Sequence, residues 1–345
     1  MNNVIVAWVN KDEISFEKNI PLRWCGQHNI KLGSKNPIFV LFCEGFKRLS
    51  DAYISQLREL GYSLINCEKQ YKKYEKRFNV LSRFGDYEKK CFLRWLVIYE
   101  IYGNDPVIHY DGDIIFNEIP EILEKKIGNL TFVLQGCPAV VSTGKSEWLA
   151  EYSKNLLHFT KNIDRYSSIA WKERIGWEES YLIKWSGSRF REIISSDQDL
   201  ISHLIHTDRL PQTQPKVIKE QTADLVLFEQ LLEFDNFYQD ILPIRYRRED
   251  GADFFNNKKV AIWHMQSFTI KYLTYFLARG FLNRYSRCKN YLQEKSVDYY
   301  VWVFYDQILF RNNYERLKIY QHFFEHTDFR NLFNSNTYWK KQIFI

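Results

Sequence analysis

Short apolar runs alternate with helix-period segments through the first half of the chain, and this alternation limits the possible folds more than any other feature. "VIVAWV" (4–9) and "PIFVLFC" (37–43) read as buried strands. "LSDAYISQLRELGY" (49–62) carries a helical pattern that closes on Gly61, and "YSLINC" (62–67) reads as a third strand. In "DYEKKCFLRWLVIYEIYG" (86–103), Phe92, Trp95, Leu96 and Tyr99 recur at i, i+3, i+4 and i+7, which predicts a helix. Asp86 is placed to cap its start, and Gly103 ends it before the turn Asn104-Asp105-Pro106. The strand Val107–Tyr110 follows. Strands separated by helices predict an α/β fold, with a mostly parallel sheet flanked by helices on both faces.

Further on, "NLTFVLQG" (129–136) and "AVVSTG" (139–144) predict two more strands. Residues 145–190 read as helical and carry Trp148, Trp171, Trp177 and Trp185. Beyond about residue 270 the chain becomes aromatic, basic and helical in period. The expected division is an α/β domain over 1–270 and a helical C-terminal extension over 271–345. The extension would pack on the α/β domain, bind a substrate or touch an anionic membrane surface. No internal repeat or low-complexity linker stands out.

The apolar strand 107–110 runs straight into Asp111-Gly112-Asp113. Carboxylates at the end of a buried strand need a cation or a set of donors to offset their desolvation. In a parallel sheet this end is also where ligands bind. Two carboxylates on one short loop can face a single hard cation such as Mg²⁺ or Mn²⁺, which completes its shell with water and substrate phosphates. Such an ion would offset charge on a diphosphate leaving group, at about 4 kcal/mol for unit charges roughly 4 Å apart in a medium of effective dielectric near 20. The competing reading is a solvated turn, since Asp-Gly is a common turn pair.

Net charge and cysteine usage bound the partners. A formal charge of +6 suits a phosphorylated substrate or an anionic surface and is too weak to indicate nucleic acid. The six cysteines, at 25, 43, 67, 91, 137 and 288, form no CxxC pair and read as reduced core residues. "MNNVIVAWVNKDE" has no signal-peptide pattern, and no run of about eighteen apolar residues occurs, so a cytoplasmic protein without a membrane span is expected.

Taken together, these segments resemble GT-A glycosyltransferases, most closely the retaining enzymes of glycosyltransferase family 8. The likeness rests on Arg94, seventeen positions before Asp111, on the Asp111-Gly112-Asp113 motif, and on "SSDQDLISHLI" (195–205), where Ser202 stands at a usual asparagine. It also rests on "IWHMQSFTIKYL", with His264, Ser267 and Lys271. The resemblance implies a GT-A fold, with nucleotide-sugar binding in 1–120 and the acceptor side in 130–270. It implies Mn²⁺ or Mg²⁺ held by Asp111, Asp113 and His264, with Asp111 also near the nucleotide ribose. Arg94 would bind the donor sugar or its diphosphate, Lys271 the leaving phosphate, and Val9 and Asn10 the base. Asp197 would bond sugar hydroxyls, and Gln198 would lie beside the anomeric carbon. The substrates would be a nucleotide-diphosphate sugar, of the uridine class, and a saccharide or glycoconjugate acceptor.

Each residue also has a plainer reading. Arg94 would make a salt bridge at the core edge, "SDQDL" would cap a helix through Ser196 or Asp197, and His264 would end a core strand. His109, His203 and His206 read as structural. Two other function classes fit the motif: a haloacid-dehalogenase-type phosphatase with Asp111 as nucleophile, and a non-catalytic protein that binds sugar nucleotide or carbohydrate.

Overall fold

The computed structural model describes residues 1–134, 138–173, 194–227, 246–249, 252–255 and 257–264. Lys271, Trp177, Trp185 and the expected C-terminal extension lie outside these residues, and so does the expected boundary at 270. The chain divides into two compact units. One comprises Met1–Lys11, Lys35–Gly112 and Pro120–Ala223; the other comprises Asp12–Ser34, Asp113–Ile119 and the chain from Asp224 on.

The first unit is built on β1 (Asn2–Trp8), β2 (Ile38–Glu44), β3 (Tyr62–Asn66), β4 (Val107–Tyr110), β6 (Phe132–Val133) and β7 (Val140–Ser142). They form one sheet in the order β3-β2-β1-β4-β7-β6. The β3-β2-β1-β4 portion is parallel, β7 runs antiparallel to β4, and β6 pairs antiparallel with β7 and so runs in the direction of β4. The result is the mixed, mostly parallel sheet with flanking helices expected from the sequence, consistent with a GT-A-like, Rossmann-type α/β fold. The chain moves outward from β1 to β2 and β3, then returns to the other side of β1 as β4. The β1/β4 pair is therefore the switch point, and the carboxyl ends of these strands are where such sheets bind ligands.

The helices of this unit are α3 (Asp51–Glu59), α4 (Glu68–Arg77), α5 (Asp86–Tyr102), α6 (Pro120–Ile127), α7 (Trp148–Lys161), α8 (Ile163–Glu173), α9 (Asp197–His206) and α10 (Pro215–Gln221). Helix α5 is the central one. Cys91 to Ile98 are all buried on it, because it lies between the sheet and other helices rather than at the surface. Gly103 ends it at φ 58°, as expected, and Gly61 follows α3 at φ 88°. The start of α5 differs from expectation: Gly85 is the N-cap with no side-chain cap, and Asp86 sits in the first turn. There its carboxylate meets Lys89 Nζ at 3.5 Å, three residues on, instead of capping the helix.

Trp148 is fully buried, stacked on Tyr152 at 5.6 Å and edge-on to Trp95 at 5.1 Å, so this tryptophan fills the core. Cys25, Cys43, Cys67 and Cys91 are free and buried, and desolvation raises the pKa of each. Cys67 reaches about 12. No described helix is long and apolar enough to cross a membrane.

The second unit contains α1 (Glu13–Asn19), α2 (Leu22–Leu32), β5 (Ile114–Phe116), β8 (Leu225–Leu227), β9 (Tyr246–Glu249), β10 (Ala252–Phe255) and β11 (Lys258–His264). Its strands run in the order β5-β11-β10-β9, and β8 pairs with β11. The antiparallel register of β11 on β5 sets Ile262 against Phe116, Trp263 against Ile115 and His264 against Ile114. The apolar run "VAIW" is fully buried there, which explains why it reads as core.

Candidate metal centre

Residues Asp111, Gly112 and Asp113 are the link between β4 and β5. The backbone N–H of Asp111 donates to the carbonyl of Ala139 at 2.8 Å, which ties the link's first residue to the strand beside β4. Asp113 precedes Ile114, and the β5–β11 register places His264 opposite that isoleucine. His264 Nε2 consequently lies 3.3 Å from Asp113 Oδ1. Asp111, Asp113 and His264 each turn one ligating atom to within 4.8 Å of the others. The carboxylates are partly exposed and the imidazole is buried, which suits a site with an open side. Two carboxylate oxygens and one imidazole nitrogen fit a divalent ion that keeps positions for water or phosphate.

Behind Asp111 lies a buried network contributed by α5, β4 and α9. Arg94 donates to Asp111 Oδ1 through Nη1 at 2.5 Å, and to Asp197 Oδ2 through Nε at 3.0 Å and Nη2 at 2.8 Å. Trp95 Nε1 donates to the same Asp197 oxygen at 2.9 Å. Burial on its own would lower the pKa of Arg94, but Asp197 and Asp111 outweigh it and hold the guanidinium well above its ordinary value. The salt-bridge reading of Arg94 therefore describes its contacts, with two carboxylates as partners. Neither carboxylate is left as an uncompensated buried charge.

His109 is buried, as expected for a core strand residue, but it also reaches Asp111 Oδ1 from Nε2 at 3.2 Å. The sequence pattern did not reveal this contact; the two-residue spacing along β4, which returns side chains to one face, is the only signal that would have suggested it. Burial lowers the pKa of His109, against the pull of the Asp111 hydrogen bond. A carboxylate can only accept, so the neutral ring must carry its hydrogen on Nε2. Edge-on contact with Trp95, 4.8 Å between ring centres, holds the ring in place.

The "SDQDL" segment caps α9. Ser196 is the N-cap, its hydroxyl accepts from Asp199 N, and Asp199 Oδ2 accepts from Ser196 N in return. Burial raises the pKa of Asp199, while hydrogen bonds from Ser195 and Ser196 oppose that rise. With Asp199 serving the cap, Asp197 in the first turn faces Arg94 and Trp95. Gln198 is half-buried, and its Nε2 has no hydrogen-bond partner among the described residues.

At the exit of β1, Val9 donates its N–H to the Glu44 carbonyl at 2.9 Å, and its own carbonyl accepts from Arg48 Nη1 at 2.7 Å. The exposed Asn10 accepts from Arg48 through its carbonyl and from Lys90 Nζ through Oδ1 at 3.0 Å. Gly45, at φ 72°, is needed for this packing, because a Cβ there would clash with the Val9 carbonyl oxygen. Thus Asn10, Arg94, Asp111 and Asp197 gather around the carboxyl ends of β1 and β4, and Asp113, just before β5, pairs with His264 at the end of β11.

No family model matches the chain, and no curated protein matches it either. Among solved structures it is similar to mouse xyloside xylosyltransferase 1 in its apo form, with 11% identity and a TM-score of 0.43. The match covers 76% of this chain and 96% of that one. No residue role follows from a likeness at that level. The protein is thus an α/β chain with a Rossmann-type sheet and an Asp/Asp/His cluster able to hold a metal ion.

Proposed function

We propose that the chain is a metal-dependent glycosyltransferase. It takes a nucleotide-diphosphate sugar, of the uridine diphosphate class, and passes the sugar to a hydroxyl of a saccharide or glycoconjugate acceptor, with retention at the anomeric carbon. The observation that carries this reading is the approach of Asp111, Asp113 and His264 to within 4.8 Å on the link that follows β4. Mn²⁺ or Mg²⁺ held there supplies Lewis-acid stabilisation of the charge that gathers on a departing diphosphate.

The chain's own residues then have separate tasks. Arg94 fixes the carboxylates of Asp111 and Asp197, and its remaining N–H groups face the diphosphate. Exposed Asn10, at the end of the neighbouring strand, meets the base, and buried Val9, with both backbone polar groups occupied, positions it. Asp197 keeps Oδ2 for Arg94 and Trp95 and offers Oδ1 to a donor-sugar hydroxyl. The Gln198 amide, half-buried with an unpartnered Nε2, lies beside the anomeric carbon and stabilises the developing positive charge through its carbonyl. Lys271, outside the described residues, neutralises the leaving phosphate.

The test is a panel of sugar nucleotides incubated with Mn²⁺ or with a chelator and read by release of nucleoside diphosphate. One donor should give a signal that the chelator removes. Release of phosphate from a generic aryl phosphate would favour the phosphatase. Binding of a sugar nucleotide with no turnover under any acceptor would favour a non-catalytic protein.

A further inference from the structure

Helix α4 sorts its charges by face. Lys69, Lys72, Lys73, Lys76 and Arg77 are all exposed, at i, i+3, i+4, i+7 and i+8, and form one stripe about 12 Å long. The two acids of the helix are occupied elsewhere: Glu68 Oε1 accepts from the Phe46 N–H at 2.9 Å, and Glu75 meets Lys89 Nζ at 2.8 Å. The apolar side of the helix is anchored by buried Tyr71, which packs edge-on against Trp8. Lys73 is paired with Glu100 at 3.1 Å; among the described residues no carboxylate pairs with Lys69, Lys72, Lys76 or Arg77. Like charges at these spacings repel one another, so the bare helix carries a cost that a bound anionic surface removes.

We propose that the α4 stripe docks the protein on an anionic phospholipid bilayer. Four of the five cations are lysines, which act as point charges toward a diffuse field; bidentate phosphate recognition calls for arginine. A net charge of +6 is modest for a nucleic-acid binder, whereas an exposed lysine-rich stripe suits the diffuse field of an anionic lipid surface. This surface is independent of the catalytic reading.

The test is cosedimentation of the full chain with phosphatidylcholine vesicles, with and without phosphatidylglycerol, at about 0.1 M salt and at about 1 M. The chain should pellet only with the phosphatidylglycerol vesicles and only at the lower salt. Each cation removed should weaken binding about fivefold. The variant Lys69→Gln/Lys72→Gln/Lys76→Gln/Arg77→Gln should therefore lose several hundredfold. A control that replaces exposed Lys31, Lys35, Lys125 and Lys161 with Gln makes the same charge change and should still bind. Far-ultraviolet circular dichroism checks that both variants are folded. Equal loss in the two variants would reduce the effect to net charge and overturn the docking surface. So would wild-type failure to pellet, or preferential capture by a duplex oligonucleotide over the vesicles.

Discussion

The two carboxylates of the β4–β5 link are held in very different ways. Asp111 meets Arg94 and His109 through one oxygen, and its backbone is tied to Ala139. Asp113 meets His264, at the longer distance of 3.3 Å. One ligand is thus pre-positioned by buried neighbours, and the other is left free to adjust. Fixing one arm of a metal site limits the ordering cost of binding, while a looser arm lets the coordination shell change as phosphate arrives.

The largest effect is expected at the looser arm. Asp113→Ala should lower nucleoside diphosphate release on the order of a thousandfold, about 4 kcal/mol in barrier, with little change in melting temperature. Near-normal turnover in that variant would remove Asp113 from the metal site. At the fixed arm the expectation is reversed, with stability suffering first. Arg94→Met leaves Asp197 buried without its cation and should cost roughly 3–5 kcal/mol in urea unfolding. Adding Asp197→Asn to that variant should recover part of the loss, and an additive double mutant would mean that the two side chains are not coupled.

A third measurement concerns α9, which carries Asp197. Burial lowers the pKa of His203 to about 4, from an ordinary value near 6.5. A histidine whose folded pKa is depressed leaves stability fully present above pH about 6.5. Stability is lost as the pH falls from there through about 4, because the unfolded chain takes up the proton first. The expected drop approaches 3 kcal/mol and should vanish in His203→Gln when unfolding is followed across that window. The smallest effect belongs to the cap of the same helix. Ser196→Ala should cost about 1 kcal/mol, read as a shift in the urea midpoint at unchanged slope.

The legible parts of this fold are those where local and tertiary signals agree. β1, β2, β3, α5 and β4 are apolar on the right period, and Gly61 and Gly103 mark the ends of α3 and α5, so their order and the position of the aspartates follow from pattern. The strands β5 and β6, with three and two residues, are too short for periodicity to mark. Helix α4 has a polar sequence in which only Tyr71 is buried, so little apolar pattern announces it. Of the site, the motif residues are readable from type and spacing, but the side chains that orient them are not. His109 and Trp95 look like ordinary core residues until the sheet and α5 bring them to Asp111 and Asp197. The misplaced cap at Asp86 is a further case: an acid fits both the cap and the first turn, and Gly85, at φ 105°, takes the cap here.

The interior thiols also give the molecule a built-in clock. Cys25, Cys43, Cys67 and Cys91 are shielded from solvent and resist ionisation, so an alkylating reagent near neutral pH can reach them only when their surroundings open. Peptide-by-peptide mass spectrometry of a timed alkylation would then rank how often each neighbourhood breathes, with no probe engineered into the chain.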